Sequence, residues 1–172
     1  MSQFRIELLG KHDRAKFNSG SPELDSYLRE RAAQDMRRRV ASCFVALDDS
    51  GDNSGDNSGD NSGDDAGAIA GYYTLAATSL VLDQLADERA KRLPRYPAIP
   101  AVLLGRLAVA LTHQGKRLGG ALVADALLRA SRSEVMAYAM VVDAKDESAA
   151  RLYAHLGFER LGDDRRRLLR AL

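Results

Sequence analysis

A glycine-rich turn in the second half of the chain is the segment best suited to hold an anion. Residues 114–120 (QGKRLGG) lead directly into the predicted helix LGGALVADALLRASR. A helix N-terminus presents unpaired N–H groups and the positive end of the helix dipole, and glycines let the backbone close around a diphosphate. The dinucleotide-binding pattern GxGxxG and the phosphate-loop pattern GxxxxGK(S/T) are both absent. By itself, the turn therefore predicts an anion site without naming the ligand.

Single side chains of reactive types give weaker signals. Tyr153, in the segment ESAARLYAHLGF, could simply cover the core from an amphipathic helix. His113 and His155 are weaker candidates, because each is more typical of a surface turn or helix face. Cys43 lies among apolar residues and is expected in the core. Asp143 is a candidate base because it lies at the end of a predicted strand, but an aspartate there is more typical of a strand-end turn.

Alternating strands and helices must position these residues. FRIELL at 4–9 predicts a strand, and Ser21 with Pro22 predicts the start of a helix that runs to about Arg39. Strands at 43–47 and 68–81 are expected to be neighbours in a hairpin. The remaining elements are a short helix at 83–93, an apolar strand at 101–109, the helix after the turn, a strand at 137–144, a helix closed by Gly157, and a strand in RRRLLRAL. This order predicts an α+β (α/β-like) mixed sheet.

Length and composition are those of one globular domain. The chain has 172 residues, 45% of them apolar, so a single domain over residues 1–172 with a full core is expected. No apolar run approaches the roughly 18–20 residues needed to span a membrane, and the N-terminus lacks the apolar block of a signal peptide. Cys43 is the only cysteine, so no internal disulfide can form. We therefore expect a cytoplasmic protein without a membrane partner.

The net charge of +1 conceals an asymmetry. Residues 48–65 carry seven acids and no Lys or Arg, so the rest of the chain holds 17 acids against 25 bases, a net charge of +8. Twenty of these bases are Arg, whose planar guanidinium suits bidentate contact with phosphate. A polyanionic partner is one interpretation of this excess. Solvated helix faces in an arginine-rich chain are the other.

An acidic repeat, GDNS three times from Gly51, lies within residues 48–66. An EF-hand loop needs acids at alternate positions before a glycine, with a later Glu, and a calcium-binding β-helix repeat needs an apolar residue in each unit. Neither pattern is present. Units of Gly, Asp, Asn and Ser cannot bury anything, so we expect a flexible hairpin loop and no metal.

Two segments together resemble one known family. LLGRLAV…HQGKRLGGALVADAL resembles the acetyl-CoA-binding motif of GNAT N-acetyltransferases, whose loop pattern is Q/R-x-x-G-x-G/A. Further on, VVDAKDESAARLYAHLGF resembles the second half of the same fold, including its A-x-x-x-Y-x-x-x-G-F ending. Gln114 and Gly119 match the loop pattern, whereas Arg117 replaces its middle glycine. The resemblance covers nearly the whole chain except the repeat, and it implies the GNAT fold, a mixed sheet with splayed middle strands flanked by helices.

The resemblance also implies roles for particular residues. The splayed strands of the family hold the pantetheine arm, so backbone groups of Leu107, Ala108 and Val109 are expected to pair with it. The turn is expected to hold the diphosphate, with Arg117 adding a charge-assisted contact. Tyr153 is expected near the thioester sulfur, where the departing thiolate must be protonated or stabilised. A tyrosine hydroxyl, with a reference pKa of about 10, is a suitable acid for such a thiolate. The turn residues expected at acetyl-CoA are Gln114, Gly115, Lys116, Arg117, Leu118, Gly119 and Gly120.

A narrower resemblance indicates a substrate. GYYTLAATSL followed by LPRYPAIPAVLLGRLAV, the opening helix SPELDSYLRERAAQDMRRRV and the ending VDAKDESAARLY resemble the GNAT toxins of bacterial toxin–antitoxin pairs. Those enzymes acetylate the α-amine of aminoacyl-tRNA and so block translation. A small DNA-binding antitoxin, usually of the ribbon-helix-helix type, silences them, and the resemblance allows a homodimer because dimers are common among such toxins.

Two features of the chain agree with this substrate. An α-amine has a reference pKa of about 7.7–8.0, so it needs no strong base to become a nucleophile. An arginine-rich surface also suits a tRNA backbone. The residues expected to bind tRNA are Arg37, Arg38, Arg39, Arg89, Lys91, Arg92 and Arg95.

Two other interpretations remain open. An acetyltransferase for a small amine or a protein amine would share the cofactor site without needing the arginine clusters. A non-catalytic module that binds acetyl-CoA as a signal would not need Tyr153. A neighbouring gene for a small antitoxin would favour the toxin.

Overall fold

The computed structural model describes residues 4–49, 67–163 and 166–172. Within these ranges the strands are β1 (Phe4–Leu8), β2 (Ser42–Asp48), β3 (Ile69–Leu80), β4 (Ile99–Val109), β5 (Ala139–Asp143), β6 (Glu159–Arg160) and β7 (Arg167–Ala171). The α-helices are α1 (Pro22–Glu30), α2 (Ala32–Arg37), α3 (Asp87–Ala90), α4 (Leu118–Ser131) and α5 (Glu147–His155). Almost all of the acidic repeat segment, residues 50–66, lies outside the described residues, so its flexibility stays a prediction.

The strands form a mixed sheet in the order β1-β2-β3-β4-β5-β7-β6. β1 pairs with β2 in antiparallel fashion, and β7 pairs with both β5 and β6 in the same way. β4 and β5 are parallel, and their pairing runs from Ala101↔Ala139 to Leu104↔Val142. β4 itself continues to Val109. The predicted mixed sheet is therefore confirmed, including β2 and β3 as neighbours.

The described residues divide into two compact units. The first holds the chain up to Tyr73 together with Arg106–Leu122, and the second holds Thr74–Gly105 together with the chain from Val123 onward. β3, β4 and α4 each contribute residues to both units. Each unit has its own apolar core, built in the first around Leu28, Val45, Leu47 and Tyr72 and in the second around Leu80, Ile99, Val141 and Leu169.

The first helix begins where the sequence predicts but is broken before its predicted end. The Ser21 side chain caps α1 by accepting a hydrogen bond from the backbone N–H of Leu24. A single helix to about Arg39 is expected, yet the chain turns at Arg31 (φ −119°) and α2 follows. The break lets the Tyr27 hydroxyl donate to Asp35 Oδ2 at 2.8 Å, since residues eight apart in a straight helix would be about 12 Å apart along its axis.

Two further elements differ from the sequence prediction. The predicted helix at 83–93 is a 3-10 turn, Leu82–Gln84, followed by the single turn of α3. The break between these two turns lies at Leu85, and it allows the Leu85 side chain to enter the second core. The two-residue strand β6 was not expected, whereas Gly157 adopts the predicted left-handed conformation (φ 92°) after α5.

Candidate active site

The glycine-rich turn is anchored in the first unit at its start, by Gln114 and by the residues just before it. The Gln114 amide Nε2 donates to the carbonyl oxygens of Val109 and Ser19, each at 3.0 Å. His113 Nε2 lies 2.7 Å from Asp48 Oδ2, at the end of β2. The backbone N–H of Leu111 donates to the carbonyl of Asn18 at 2.8 Å. Gln114 thus fixes the turn against the last residue of β4, in addition to its expected place at the cofactor.

The backbone of the turn has left-handed residues at two positions. Gly115 has φ 79° and Arg117 has φ 63°. Among the described residues, Arg39 (φ 61°) and Arg117 are the only non-glycine residues with a positive φ. Arg117 occupies the position of the middle glycine in the family pattern, so the conformation that glycine favours is kept although the side chain has changed. A residue with a Cβ is strained in this region.

The glycines of the turn leave open space where a ligand would approach. A Cβ built at Gly115 or Gly120 meets no atom within 4 Å, and one at Gly119 meets only Val109 Cγ2, at 4.0 Å. Packing within the described chain therefore does not require glycine at 119 or 120. The first N–H groups of α4 also lack partners within the helix. Both features are those of an anion site at a helix N-terminus, as the sequence predicts for this turn.

β4, the strand that leads into the turn, continues beyond the last residue that pairs with β5. The β4–β5 pairs end at Leu104↔Val142, and five more residues of β4 follow, from Gly105 to Val109. Ala108 is buried, while Leu107 and Val109 are half-buried. The predicted cofactor residues, 107–109 and 114–120, all lie in the first unit.

Tyr153 lies in the second unit, on α5. Its side chain is 8% exposed, and its ring packs edge-on against Phe158 with 5.5 Å between centroids. Burial raises the pKa of Tyr153 to about 12, so the hydroxyl keeps its proton at physiological pH. No hydrogen-bond partner of this hydroxyl is found in the described part of the chain. Tyr153 therefore has the chemistry of a proton or hydrogen-bond donor.

The other reactive side chains have structural surroundings. Cys43 is 1% exposed, and burial raises the pKa of its thiol to about 12, so it is not a nucleophile at neutral pH. Asp143 forms a two-point ion pair with Arg167, at 2.9 and 3.3 Å. His155 is exposed on α5. These positions agree with the sequence interpretation that none of the three carries out the reaction.

The residues expected to bind tRNA fall into two groups with different surroundings. Arg37, Arg38 and Arg39 are exposed at the end of α2 in the first unit. In the second unit, Arg89 donates to the Tyr138 hydroxyl at 3.2 Å and pairs with Glu159 at 3.0 Å, so part of its charge is neutralised. The other residues of this second group, Lys91, Arg92 and Arg95, are exposed. Lys91 and Arg95 line a cavity of about 410 Å³.

Sequence patterns did not single out Arg106, which is the one charged residue within β4. Its side chain is exposed, and its guanidinium carbon lies 3.7 Å from the centroid of the Tyr27 ring. Burial, followed by the hydrogen bond to Asp35, raises the pKa of the Tyr27 hydroxyl, while the Arg106 charge lowers it. The sequence signal that could have drawn attention to Arg106 is its position as a lone charge inside the apolar stretch AVLLGRLAV.

A comparison with known families decides the assignment of the chain. The model of the acetyltransferase (GNAT) domain matches residues 40–160. The chain belongs to this family. A tRNA-acetylating toxin of Mycobacterium tuberculosis is 31% identical over 149 residues, which cover 86% of this GNAT chain and 78% of the toxin. The predicted family and its acetyl-CoA-dependent N-acetyltransferase chemistry are thus confirmed.

Solved GNAT structures resemble this chain over nearly its full length. AtaT complexed with acetyl-methionyl-tRNAfMet has a TM-score of 0.81 and 25% identity, covering 98% of this chain and 94% of AtaT. A tyrosine-to-phenylalanine mutant of KacT has the same TM-score and identity, with 99% and 95% covered. AtaTR bound with acetyl-CoA has a TM-score of 0.75 and 25% identity, again with 99% and 95% covered. The GNAT fold predicted from the sequence is confirmed by these likenesses.

None of the helices in the described part of the chain is long and apolar enough to cross a membrane. Within the same residues, no group of three or more His, Cys, Asp or Glu side chains is placed to hold a metal ion.

Proposed function

We propose that this GNAT enzyme is a toxin that transfers the acetyl group of acetyl-CoA to the α-amine of aminoacyl-tRNA and thereby blocks translation. The observation that carries the proposal is its 31% identity, over 86% of the chain, to a tRNA-acetylating toxin. AtaT, a structural neighbour at 25% identity, was solved with an acetylated aminoacyl-tRNA. The acceptor in this proposal is therefore an amine already attached to tRNA.

Acetyl-CoA is held in this proposal by backbone groups of the first unit. The N–H groups of the turn, Gln114 to Gly120, bind the diphosphate at the N-terminus of α4. Leu107, Ala108 and Val109 offer backbone groups to the pantetheine arm beyond the last β4–β5 pair. The hydrogen bond from the Gln114 amide to the carbonyl of Val109 supports this arrangement, because it fixes the turn to the last residue of the same strand.

Tyr153 assists the departure of the thiolate. Acetyl-CoA supplies the thioester, whose C–S bond breaks as the amine forms the new C–N bond. With a pKa of about 12, the Tyr153 hydroxyl donates a hydrogen bond to the developing charge on sulfur. Complete proton transfer to a thiolate is uphill, because a thiol has a reference pKa of about 8.5, so the sulfur takes its proton finally from the amine through solvent.

Removal of the amine proton needs no dedicated carboxylate. An α-amine with a reference pKa of about 7.7–8.0 is neutral in a substantial fraction of molecules near pH 7.5. Asp143, the nearest candidate base in the sequence, is committed to its ion pair with Arg167. The chain therefore suits an acceptor of moderate basicity better than a lysine side chain, whose reference pKa is about 10.4.

Partners follow from the same proposal. The exposed arginines Arg37, Arg38 and Arg39, with the group at 89–95, offer charges to the tRNA backbone. KacT, another neighbour, was solved as the KacTA–DNA complex, which supports a cognate DNA-binding antitoxin here; we propose that it is of the ribbon-helix-helix type. A homodimer, a single domain spanning residues 1–172 and a cytoplasmic location complete the proposal.

The test is transfer to a pool of charged tRNA. The full-length protein is incubated with isotope-labelled acetyl-CoA and aminoacylated tRNA, and mass spectrometry identifies any N-acetylated aminoacyl-adenosine released by nuclease. Label on one or a few aminoacyl groups is expected, and the Tyr153→Phe variant should give about 100-fold less. Label on uncharged small amines or on protein amines, with none on aminoacyl-tRNA, would instead establish another acetyltransferase.

A further inference from the structure

Asp25 is an unusual residue for the start of α1, because it is buried. It is 5% exposed, and among the residues that the structure describes it is the only Asp, Glu, Lys or Arg that is buried. Burial of a carboxylate costs free energy unless hydrogen bonds compensate it. Glu23, which is exposed in the same first turn, already places a negative charge at the positive end of the helix dipole. The burial of Asp25 therefore needs another explanation.

Asp25 binds a residue that precedes the helix. Its Oδ1 atom accepts hydrogen bonds from the backbone N–H of Ser19 at 2.9 Å and from the Ser19 hydroxyl at 2.6 Å. These two bonds fix both the backbone and the side chain of Ser19. The carbonyl oxygen of Ser19 in turn accepts a hydrogen bond from Gln114 Nε2 at 3.0 Å. A single residue, Ser19, therefore connects Asp25 to the first residue of the glycine-rich turn.

The segment before α1 also contacts the chain just ahead of the turn. The carbonyl of Asn18 accepts a hydrogen bond from the backbone N–H of Leu111 at 2.8 Å. Gly20, with φ 86°, lies so close to Leu111 that a Cβ there would be 3.2 Å from Leu111 Cδ2. α1 itself is fixed to β3, since the Tyr72 hydroxyl donates to the carbonyl of Leu24 at 2.7 Å. Within the first unit, the segment thus lies between a fixed helix and the start of the turn.

Gln114 needs acceptors that are held in place. Its side chain is exposed, so water competes for both amide hydrogens. The carbonyl of Val109 belongs to the last residue of β4 and is fixed by the strand. The carbonyl of Ser19 lies in a loop, where the two hydrogen bonds to Asp25 hold the residue. Without Asp25, Gln114 would keep only one fixed acceptor.

We propose that Asp25 is a positioning residue for acetyl-CoA, which holds Ser19 so that Gln114 keeps the turn in the conformation that binds the diphosphate. This inference rests on the proposed function, which places the diphosphate at the turn. In this role Asp25 acts through Ser19 and Gln114 rather than through contact with the cofactor. Its loss should therefore raise the KM for acetyl-CoA and leave kcat at saturating acetyl-CoA unchanged.

The experiment is a double-mutant cycle on the full-length protein, with the Kd for acetyl-CoA measured by titration calorimetry. Asp25→Ala should raise this Kd about 3- to 10-fold, the scale of an ordinary hydrogen bond, and Gln114→Ala should raise it at least as much. Adding Asp25→Ala to Gln114→Ala should raise the Kd by less than about twofold further, because both residues act through the same contacts. Asp25→Asn, whose amide oxygen can still accept both bonds, should have a lower Kd than Asp25→Ala.

Controls separate this role from a purely structural one. Ser21→Ala removes the side chain that caps α1 and keeps the contact between Asp25 and Ser19, so it should lower the Tm and leave the Kd at the wild-type value. Circular dichroism shows whether each variant folds. If Asp25→Ala does not fold, Ser19→Ala decides, because it removes only the 2.6 Å bond and should raise the Kd about 2- to 5-fold.

The outcomes distinguish this inference from the proposed function. A wild-type Kd in Asp25→Ala, or in Ser19→Ala where Asp25→Ala does not fold, overturns the positioning role while the toxin activity stands. The same conclusion follows if Asp25→Ala has equal effects with and without Gln114, or if Asp25→Asn binds no better than Asp25→Ala. A wild-type Kd in Gln114→Ala would instead contradict the proposed place of the diphosphate at the turn, and this inference would fail with it.

Discussion

Replacing Arg117 with glycine separates the cost of its backbone conformation from the use of its side chain. At φ 63°, a residue with a Cβ loses about 1–2 kcal/mol relative to its preferred conformations. Glycine removes that strain, but its greater freedom in the unfolded chain takes back about 0.5–1 kcal/mol. We expect the free energy of unfolding to rise by about 0.5–1 kcal/mol, which for a chain of this size raises the Tm by about 1–4 °C.

Acetyl-CoA binding should change in the opposite direction. Arg117 is exposed in the turn that we assign to the diphosphate, and a hydrogen bond to a charged group contributes about 1.5–3 kcal/mol. Its loss should raise the Kd for acetyl-CoA about 10- to 100-fold. A variant that is more stable yet binds its cofactor more weakly is the signature of strain retained for function.

Arg39→Gly is the matched control, because Arg39 has nearly the same backbone conformation (φ 61°) at the end of α2. Differential scanning calorimetry of the free proteins and titration calorimetry with acetyl-CoA measure both quantities. Both variants should show the rise in Tm, and only Arg117→Gly should show the rise in Kd. Equal or tighter cofactor binding by Arg117→Gly would refute the phosphate contact, and a lower Tm in both variants would refute the strain argument.

Three further predictions concern the strand, the donor and the basic surface. Tyr153→Phe should keep acetyl-CoA binding and lower kcat about 100-fold. Because the pKa of about 12 keeps the Tyr153 hydroxyl protonated, the rate of the wild-type enzyme should not fall through ionisation of Tyr153 as the pH rises to 10. A fall in rate below pH 10 that the phenylalanine variant lacks would contradict this expectation. Gly71→Ala places a Cβ 2.9 Å from the Ala108 carbonyl oxygen, so chemical denaturation should show a loss of about 1–3 kcal/mol; unchanged stability would mean that β4 yields at no cost. Reversing the charges of Arg37, Arg38 and Arg39 should raise the KM for charged tRNA and reduce its salt dependence, with no effect if this surface faces another partner.

Local signals in the sequence were sufficient for most of the fold. Apolar runs located β2, β3, β4 and β5, since buried strands are continuous in hydrophobicity. Ser21 and Gly157 marked a helix start and a helix end, because each satisfies backbone groups that the helix leaves unpaired. The spacing of the turn and of the segment around Tyr153 identified the family.

Features that depend on distant contacts could not be read from the chain. The break at Arg31 lies in a segment of good helix formers, and it accompanies a hydrogen bond between Tyr27 and Asp35 that local propensity does not contain. The stacking of Arg106 on Tyr27 joins residues far apart in the sequence. The left-handed backbone of Arg117 also went unpredicted, because an arginine gives no local sign of a positive φ.

The anchoring of Gln114 sets a rule for which residues the first position of the turn can accept. The Gln114 amide donates one hydrogen bond to the carbonyl oxygen of Val109 and one to that of Ser19, so the position requires a side chain with two donors. Arginine, the alternative in the family pattern, meets this requirement, since it also carries several N–H groups. Glutamate has the same shape as glutamine, but its negatively charged oxygens would face the carbonyl oxygens of Val109 and Ser19 and be repelled by them. Deamidation of this single side chain would therefore replace two hydrogen bonds by two repulsive contacts, and we expect it to loosen the turn from β4 and weaken the binding of acetyl-CoA.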